Sequence, residues 1–255
     1  MDKFERLVSI MDRLRDKNGC PWDREQTRES LKPFLIEEAY ELLEAIEENS
    51  PEKIREEIGD LLFQLIFHAR ISEELGEFDI RDVLDSITEK MISRHPHVFG
   101  NLNLESTEEV VQRWEEHKKR EGKLRDSVLE GVPRALPSLL RAQRVQERAS
   151  RVGFDWKEAG GVLEKIEEEL EEFREAVRSG EGKRMEEELG DLLFSIVNLS
   201  RFVNINPEEA LRRTTDRFIR RFRYIETGAR AMGRKLDELS LEEMDRLWEE
   251  AKEKE

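Results

Sequence analysis

Glu38 and Glu41 stand three residues apart, as do Glu57 and Asp60, so each pair shares one face of a helix. A short connection would make the two helices antiparallel neighbours and bring the pairs face to face. Carboxylates converging at a partly buried helix interface repel one another unless cations lie between them. An all-oxygen ligand set suits a hard ion, Mg²⁺ or Mn²⁺, rather than Zn²⁺. Glu169, Glu172, Glu188 and Asp191 repeat the arrangement. The step from Glu41 to Glu57 and from Glu172 to Glu188 is 16 residues in both cases.

A competing reading is an ordinary solvated face. The chain has 60 acidic residues among 255, so Glu at i and i+3 arises readily and one occurrence carries little weight. Recurrence changes the balance. Between the helices, Ser50-Pro51-Glu52-Lys53 is replaced by Glu181-Gly182-Lys183-Arg184, yet the carboxylates are retained. A di-iron carboxylate bundle also sets Glu on facing helices, but it requires Glu-x-x-His, and both copies here have Asp at that place. His68, His95, His97 and His117 lie elsewhere and do not recur in the second half.

The elements that must carry these residues are helical. From Leu31, the apolar positions Phe34, Leu35, Leu42, Leu43 and Ile46 repeat at helical spacing until Asn49-Ser50-Pro51 stops the run. Ser50 is a good N-cap and Pro51 a good first residue for a second helix, whose stripe holds Ile54, Ile58, Leu61, Leu62, Leu65, Ile66 and Ala69. Ser106-Thr107-Glu108-Glu109 and Ser240-Leu241-Glu242-Glu243 fit the capping box, each ahead of a helix containing Trp. About five helices are expected in each half and no strand. The fold class is all-α.

The chain is internally repeated. Glu56-Glu57-Ile58-Gly59-Asp60-Leu61-Leu62-Phe63 recurs 131 residues later as Glu187-Glu188-Leu189-Gly190-Asp191-Leu192-Leu193-Phe194. Glu37-Glu38-Ala39-Tyr40-Glu41 aligns with Glu168-Glu169-Leu170-Glu171-Glu172 at the same offset. Trp114-Glu115-Glu116-His117-Lys118 recurs as Trp248-Glu249-Glu250-Ala251-Lys252, with the offset moved to 134. Two tandem domains are therefore expected, 1–122 and 138–255, with a Gly- and Pro-containing linker at 123–137.

Charge narrows the function classes. A net charge of -16 argues against non-specific binding to nucleic acid or an anionic membrane. It leaves phosphorylated ligands open, because a bound metal reverses the local sign of an acidic site. No apolar run is long enough to cross a bilayer, and charges break up the start of the chain where a signal peptide would be apolar. The single cysteine, Cys20, has no partner in the chain, so a reducing cytoplasm is expected.

These residues resemble the MazG family of nucleoside triphosphate pyrophosphohydrolases, of the all-α NTP pyrophosphatase group. The resemblance rests on the carboxylate pattern in both halves, Cys20-Pro21-Trp22-Asp23, Arg94-His95-Pro96-His97-Val98-Phe99 and Gly153-Phe154-Asp155-Trp156, all in order along the chain. It implies Mg²⁺-dependent hydrolysis of an NTP between the α- and β-phosphates, with Mn²⁺ as a substitute, giving NMP and pyrophosphate with broad base preference. It also implies helical bundles completed by dimerisation, hence a homodimer.

By the same resemblance, Glu169, Glu172, Glu188 and Asp191 are metal ligands in the second domain, and Glu38, Glu41, Glu57 and Asp60 in the first. Catalytic roles fall to Glu168, Glu169 and Glu172 and to Glu37, Glu38 and Glu41. Whether Glu168 or Glu169 activates the water stays open. Arg217 and Arg221 match positions that meet the triphosphate, and Trp248 and Lys252 a nucleotide contact. Lys90, Arg94, Trp114 and Lys118 are their counterparts.

The chemistry is consistent from the residues upward. Two arginines one turn apart suit phosphate charge, and a Trp offers a flat apolar surface to a base. The plainer alternatives are arginines paired with the abundant glutamates and a Trp in the core. One departure is visible, since Pro96 should end the helix beside Arg94, whereas Arg221 is followed by Phe222-Arg223-Tyr224. Two further functions compete: a pyrophosphatase of narrow specificity, such as one acting on dUTP, and a non-catalytic acidic helical scaffold.

Overall fold

The computed structural model describes residues 2–100 and 127–254. Among them there are helices and no strand. The chain divides into two compact units, Met1–Lys123 and Leu124–Glu255. The expected cap at Ser106, the residues Trp114 and Lys118, and part of the expected linker, 123–126, lie outside the described residues.

In the first unit, α1 (Lys3–Arg15) opens on a capping box between Asp2 and Glu5. A short α2 (Pro21–Glu25) precedes α3 (Lys32–Glu47). Asn49, at φ 51°, turns the chain, and Ser50 caps α4 (Pro51–Glu74) by accepting a hydrogen bond from the Lys53 amide at 3.5 Å. With only three residues between them, α3 and α4 form an antiparallel hairpin. Then come α5 (Ile80–Arg94), capped by Asp79, and the single turn α6 (Pro96–Phe99). Pro96 does end the helix carrying Arg94, and His95 sits between the two elements outside helical geometry.

The core of this unit is Met11, Leu31, Ile66, Phe67 and Ile71, with Phe4, Leu7, Phe34 and Phe63 packed on it. It is fed by α1 on one side of α4 and by the start of α3. Arg15 fastens α1 to the end of α4 through Glu74, Nη2 to Oε2 at 2.7 Å.

The second unit repeats the plan with a different finish. Helix α7 (Ser138–Ser150) packs on α9 (Gly182–Phe202), which forms a hairpin with α8 (Ala159–Ser179). Gly180 closes α8 at φ 73°, a left-handed conformation that costs little without a Cβ. Helix α10 (Pro207–Ala231) is capped by Asn206, and α11 (Leu241–Glu253) by a capping box of Ser240 and Glu243. A 3₁₀ turn, Leu236–Glu238, joins them. Ile225, Ala229, Leu239 and Leu247 form the core between α10 and α11. Gly228 allows that close approach, since a Cβ there would meet Leu247 Cδ2 at 2.8 Å.

Several large apolar side chains stay exposed along the hairpins. Ile36, Tyr40, Leu43, Ile46 and Ile58 do so in the first unit, and Leu189, Leu193, Phe194 and Ile196 on α9.

Candidate metal centre

Each hairpin brings three carboxylates together. Glu38 and Glu41 of α3 meet Glu57 of α4, and Glu169 and Glu172 of α8 meet Glu188 of α9. In each trio the closest oxygens all lie within 4.8 Å of one another. Helical geometry explains this directly. Residues three apart on one helix share a face, and an antiparallel turn of two or three residues sets that face against the start of the next helix.

The fourth acid of each set stands further out. Asp60 is exposed one turn after Glu57, yet its charge raises the pKa values of both Glu38 and Glu57. Asp191, one turn after Glu188, is exposed and outside its trio.

The electrostatics show the cost of this convergence. Partial burial is the main cause that raises the Glu38 pKa, followed by the charges of Asp60, Glu41, Glu57 and Glu37. Glu57 is raised by burial and by Glu41, Asp60 and Glu56, with Lys53 opposing. Glu172 is raised by burial and then by Glu169 and Glu188. In all three groups burial is the leading cause and the neighbouring acids add to it, as expected where carboxylates converge. The donors are carboxylate oxygens alone, with no imidazole or thiolate among them. The set fits a hard divalent cation.

The two trios differ in what balances them. In the second unit Glu169 is almost fully buried, at 5% exposure. Lys165, four residues earlier on α8, places Nζ 2.9 Å from the carboxylates of both Glu169 and Glu168, and its pKa is raised by those bonds, Glu169 first. Glu168 itself is exposed. Arg184 reaches Glu188 at 3.4 Å and Glu175 at 3.5 Å. In the first unit the position 131 residues before Lys165 is Phe34, so no lysine faces Glu38 from there. Glu37 is exposed and acts on Glu38 only through its charge. Lys165 was not singled out by the sequence reading. Its i,i+4 spacing to Glu169 is the signal that finds it.

The basic and aromatic candidates assemble on other elements. Arg221 of α10 lies over the Trp248 ring of α11 at 5.5 Å, and Phe218 stacks on Phe222 and touches Trp248, with centroids at 6.0 and 5.2 Å. Trp248 thus packs against the α10–α11 core and presents a ring to a guanidinium. Arg217 donates to Thr214 Oγ1 at 2.9 Å, and Lys252 pairs with Glu249 at 2.6 Å. Within the unit, α10 packs on α7, the 3₁₀ turn and α11. In the first unit, Lys90 and Arg94 share the last turns of α5, which packs on α4 and α6.

Comparison with known proteins adds a second line of evidence. A family model described as the MazG nucleotide pyrophosphohydrolase domain matches residues 26–99 and again 159–225. Each match contains one carboxylate trio. A nucleoside triphosphate pyrophosphohydrolase/pyrophosphatase MazG of Thermotoga maritima is 52% identical over 250 residues, covering 98% of this chain and 95% of that one. A nucleoside triphosphate pyrophosphohydrolase of Escherichia coli is 43% identical over 260 residues, covering 100% and 99%. An uncharacterised protein of Bacillus subtilis, YabN, is 47% identical over 255 residues, which are 99% of this chain and 52% of that longer one.

Proposed function

Because the chain belongs to the MazG family of nucleotide pyrophosphohydrolases, we propose that it hydrolyses nucleoside triphosphates at the α–β bond, releasing NMP and pyrophosphate, with Mg²⁺ or Mn²⁺ held by the carboxylate trios. The observation that carries this reading is the repeated trio itself, three carboxylates converging on each hairpin. Broad base preference and a cytoplasmic setting belong to the same proposal. So do the domain limits 1–122 and 138–255.

Glu169, Glu172 and Glu188, with Asp191, would hold the ion in the second domain, and Glu38, Glu41 and Glu57, with Asp60, in the first. A bound divalent cation supplies neutralisation of phosphate charge, polarisation of the attacked phosphorus and a lowered pKa for a water. The protein supplies the rest. Glu168 and Glu169 share Lys165, so either can accept the proton of an attacking water once that lysine turns towards a phosphate. Arg217 and Arg221 meet the remaining phosphate charge, and Trp248 offers its ring to the base.

Dimerisation fits this scheme. The exposed Leu189, Leu193 and Ile196 share one face of α9, and a second copy covers it in our reading.

Separating the products of ATP or GTP hydrolysis by ion exchange tests the reaction. NMP and pyrophosphate are expected in equal amounts. NDP with orthophosphate as the first products would refute it.

A further inference from the structure

The two trios hold matching acids but not matching cations. In the second unit both Lys165 and Arg184 reach carboxylates of the trio. Lys165 Nζ stands 2.9 Å from Glu169 and from Glu168, and Arg184 Nε stands 3.4 Å from Glu188. Glu169 is almost fully buried and the Lys165 side chain mostly so, and water screens such a pair far less than one on the surface.

The corresponding positions of the first unit, 131 residues earlier, are Phe34 and Lys53. Phe34 packs on the core around Met11 and Phe67, and its ring meets Trp22 edge-on at 5.8 Å. Lys53 keeps the charge but not the place. Its ammonium is bound to Glu48, outside the trio, at 2.5 Å, and it eases Glu57 through its charge rather than through a bond.

A divalent cation entering either trio is attracted by three carboxylates. The opposition it meets differs. At Glu38, Glu41 and Glu57 it relieves repulsion among the acids, with Phe34 standing where the second unit has an ammonium. At Glu169 and Glu188 it competes with an ammonium and a guanidinium that already bond those carboxylates. Breaking the Lys165–Glu169 pair costs more than breaking a surface pair, because Glu169 is buried.

We propose that Lys165 and Arg184 are resident counter-ions that a divalent cation must displace, so that the trio of the first unit fills at a lower cation concentration than the trio of the second. The second unit is then the one whose loading follows the divalent-ion concentration after the first is saturated. This inference rests on the metal-binding part of the pyrophosphohydrolase reading and concerns the order of loading rather than the reaction.

The test titrates the full chain with Mn²⁺ in the absence of nucleotide and measures the free ion by electron paramagnetic resonance. Two classes of site are expected, with dissociation constants about tenfold apart. Glu41→Gln should weaken the tight class and Glu172→Gln the weak one. Lys165→Met should tighten the weak class about tenfold and leave the tight class in place. Lys165→Gln, which keeps a hydrogen-bonding group without the charge, should do the same. Arg184→Gln should tighten it less, since that guanidinium is shared with Glu175 at 3.5 Å. Should both lysine variants fail to fold without metal, Arg184→Gln and the two carboxylate variants decide.

Equal affinities at the two trios would overturn the inference while leaving metal binding intact. So would a tight class that Glu172→Gln weakens and Glu41→Gln spares, or a weak class unmoved by either lysine substitution. Absence of Mn²⁺ binding in the parent chain would refute metal binding at the trios and this inference with it. Pyrophosphate release, measured separately, bears on the reaction alone.

Discussion

Replacing Lys165 with Met should separate the charge of that residue from its bulk. The two side chains have similar length, but the substitution leaves the buried Glu169 facing Glu172 and Glu188 without its partner at 2.9 Å. Removing one member of a fully buried pair costs about 3–5 kcal/mol, whereas an exposed pair contributes about 0–1. Lys165 lies between these limits, with its side chain 34% exposed and that of Glu169 7% exposed, so about 2 kcal/mol is expected. For a unit of this size that corresponds to a fall of roughly 6–10 °C in the melting transition.

The size of the loss should depend on the cation. Mg²⁺ replaces the missing positive charge, so saturating Mg²⁺ should restore most of the stability. Without metal, the penalty is that of a buried carboxylate left without its partner. Calorimetry of the parent and variant with Mg²⁺ and with chelator measures both effects. A melting temperature unchanged in chelator, or a loss that Mg²⁺ leaves untouched, would refute the electrostatic account of the trio.

The remaining predictions concern the two units and the metal. Comparing Glu41→Gln, Glu172→Gln and the double substitution should leave residual turnover in each single variant and none in the double, with Glu172→Gln the more damaging; abolition by Glu172→Gln alone would make the first site structural. In the metal-free chain, Glu38, Glu57 and Glu172 have raised native pKa values, so their contribution should favour the folded state as pH falls from above those values towards the ordinary carboxylate range. Added Mg²⁺ should remove that trend, and a pH–stability curve insensitive to Mg²⁺ would speak against metal binding at the trios. Phe67→Ala, at 1% exposure in the first core, should cost about 3–5 kcal/mol and lower the transition of that unit; denaturation read against the Trp248 environment should show whether the second unit is spared.

The hairpins were legible in the sequence because local rules decide them. Ser50-Pro51 marks a helix start whatever lies around it, and three-residue spacing places Glu38 beside Glu41 in any helix. Ser240 likewise caps α11 as its box requires. What depends on depth was not legible. Glu169 and Glu38 have the same motif position, yet only Glu169 is nearly fully buried. Trp248 illustrates the same limit. It packs on the α10–α11 core while one face meets Arg221, a contact that its place in the sequence does not specify.

The whole of each trio lies within one hairpin, between Glu38 and Glu57 or between Glu169 and Glu188, and this locality bears on how fast the protein folds. Contacts this close in sequence need little loop closure and form early on the way to the native state. Here the contact that closes the hairpin is also the one that sets acid against acid. A cation that relieves the repulsion should therefore act on the folding limb of a chevron plot as well as on the unfolding limb. Stopped-flow refolding with increasing Mg²⁺ should show acceleration, and carboxylate-to-glutamine changes in the trios should give the same acceleration without the ion. The hairpin would then act as a nucleus whose barrier is set by the divalent-ion concentration of its surroundings.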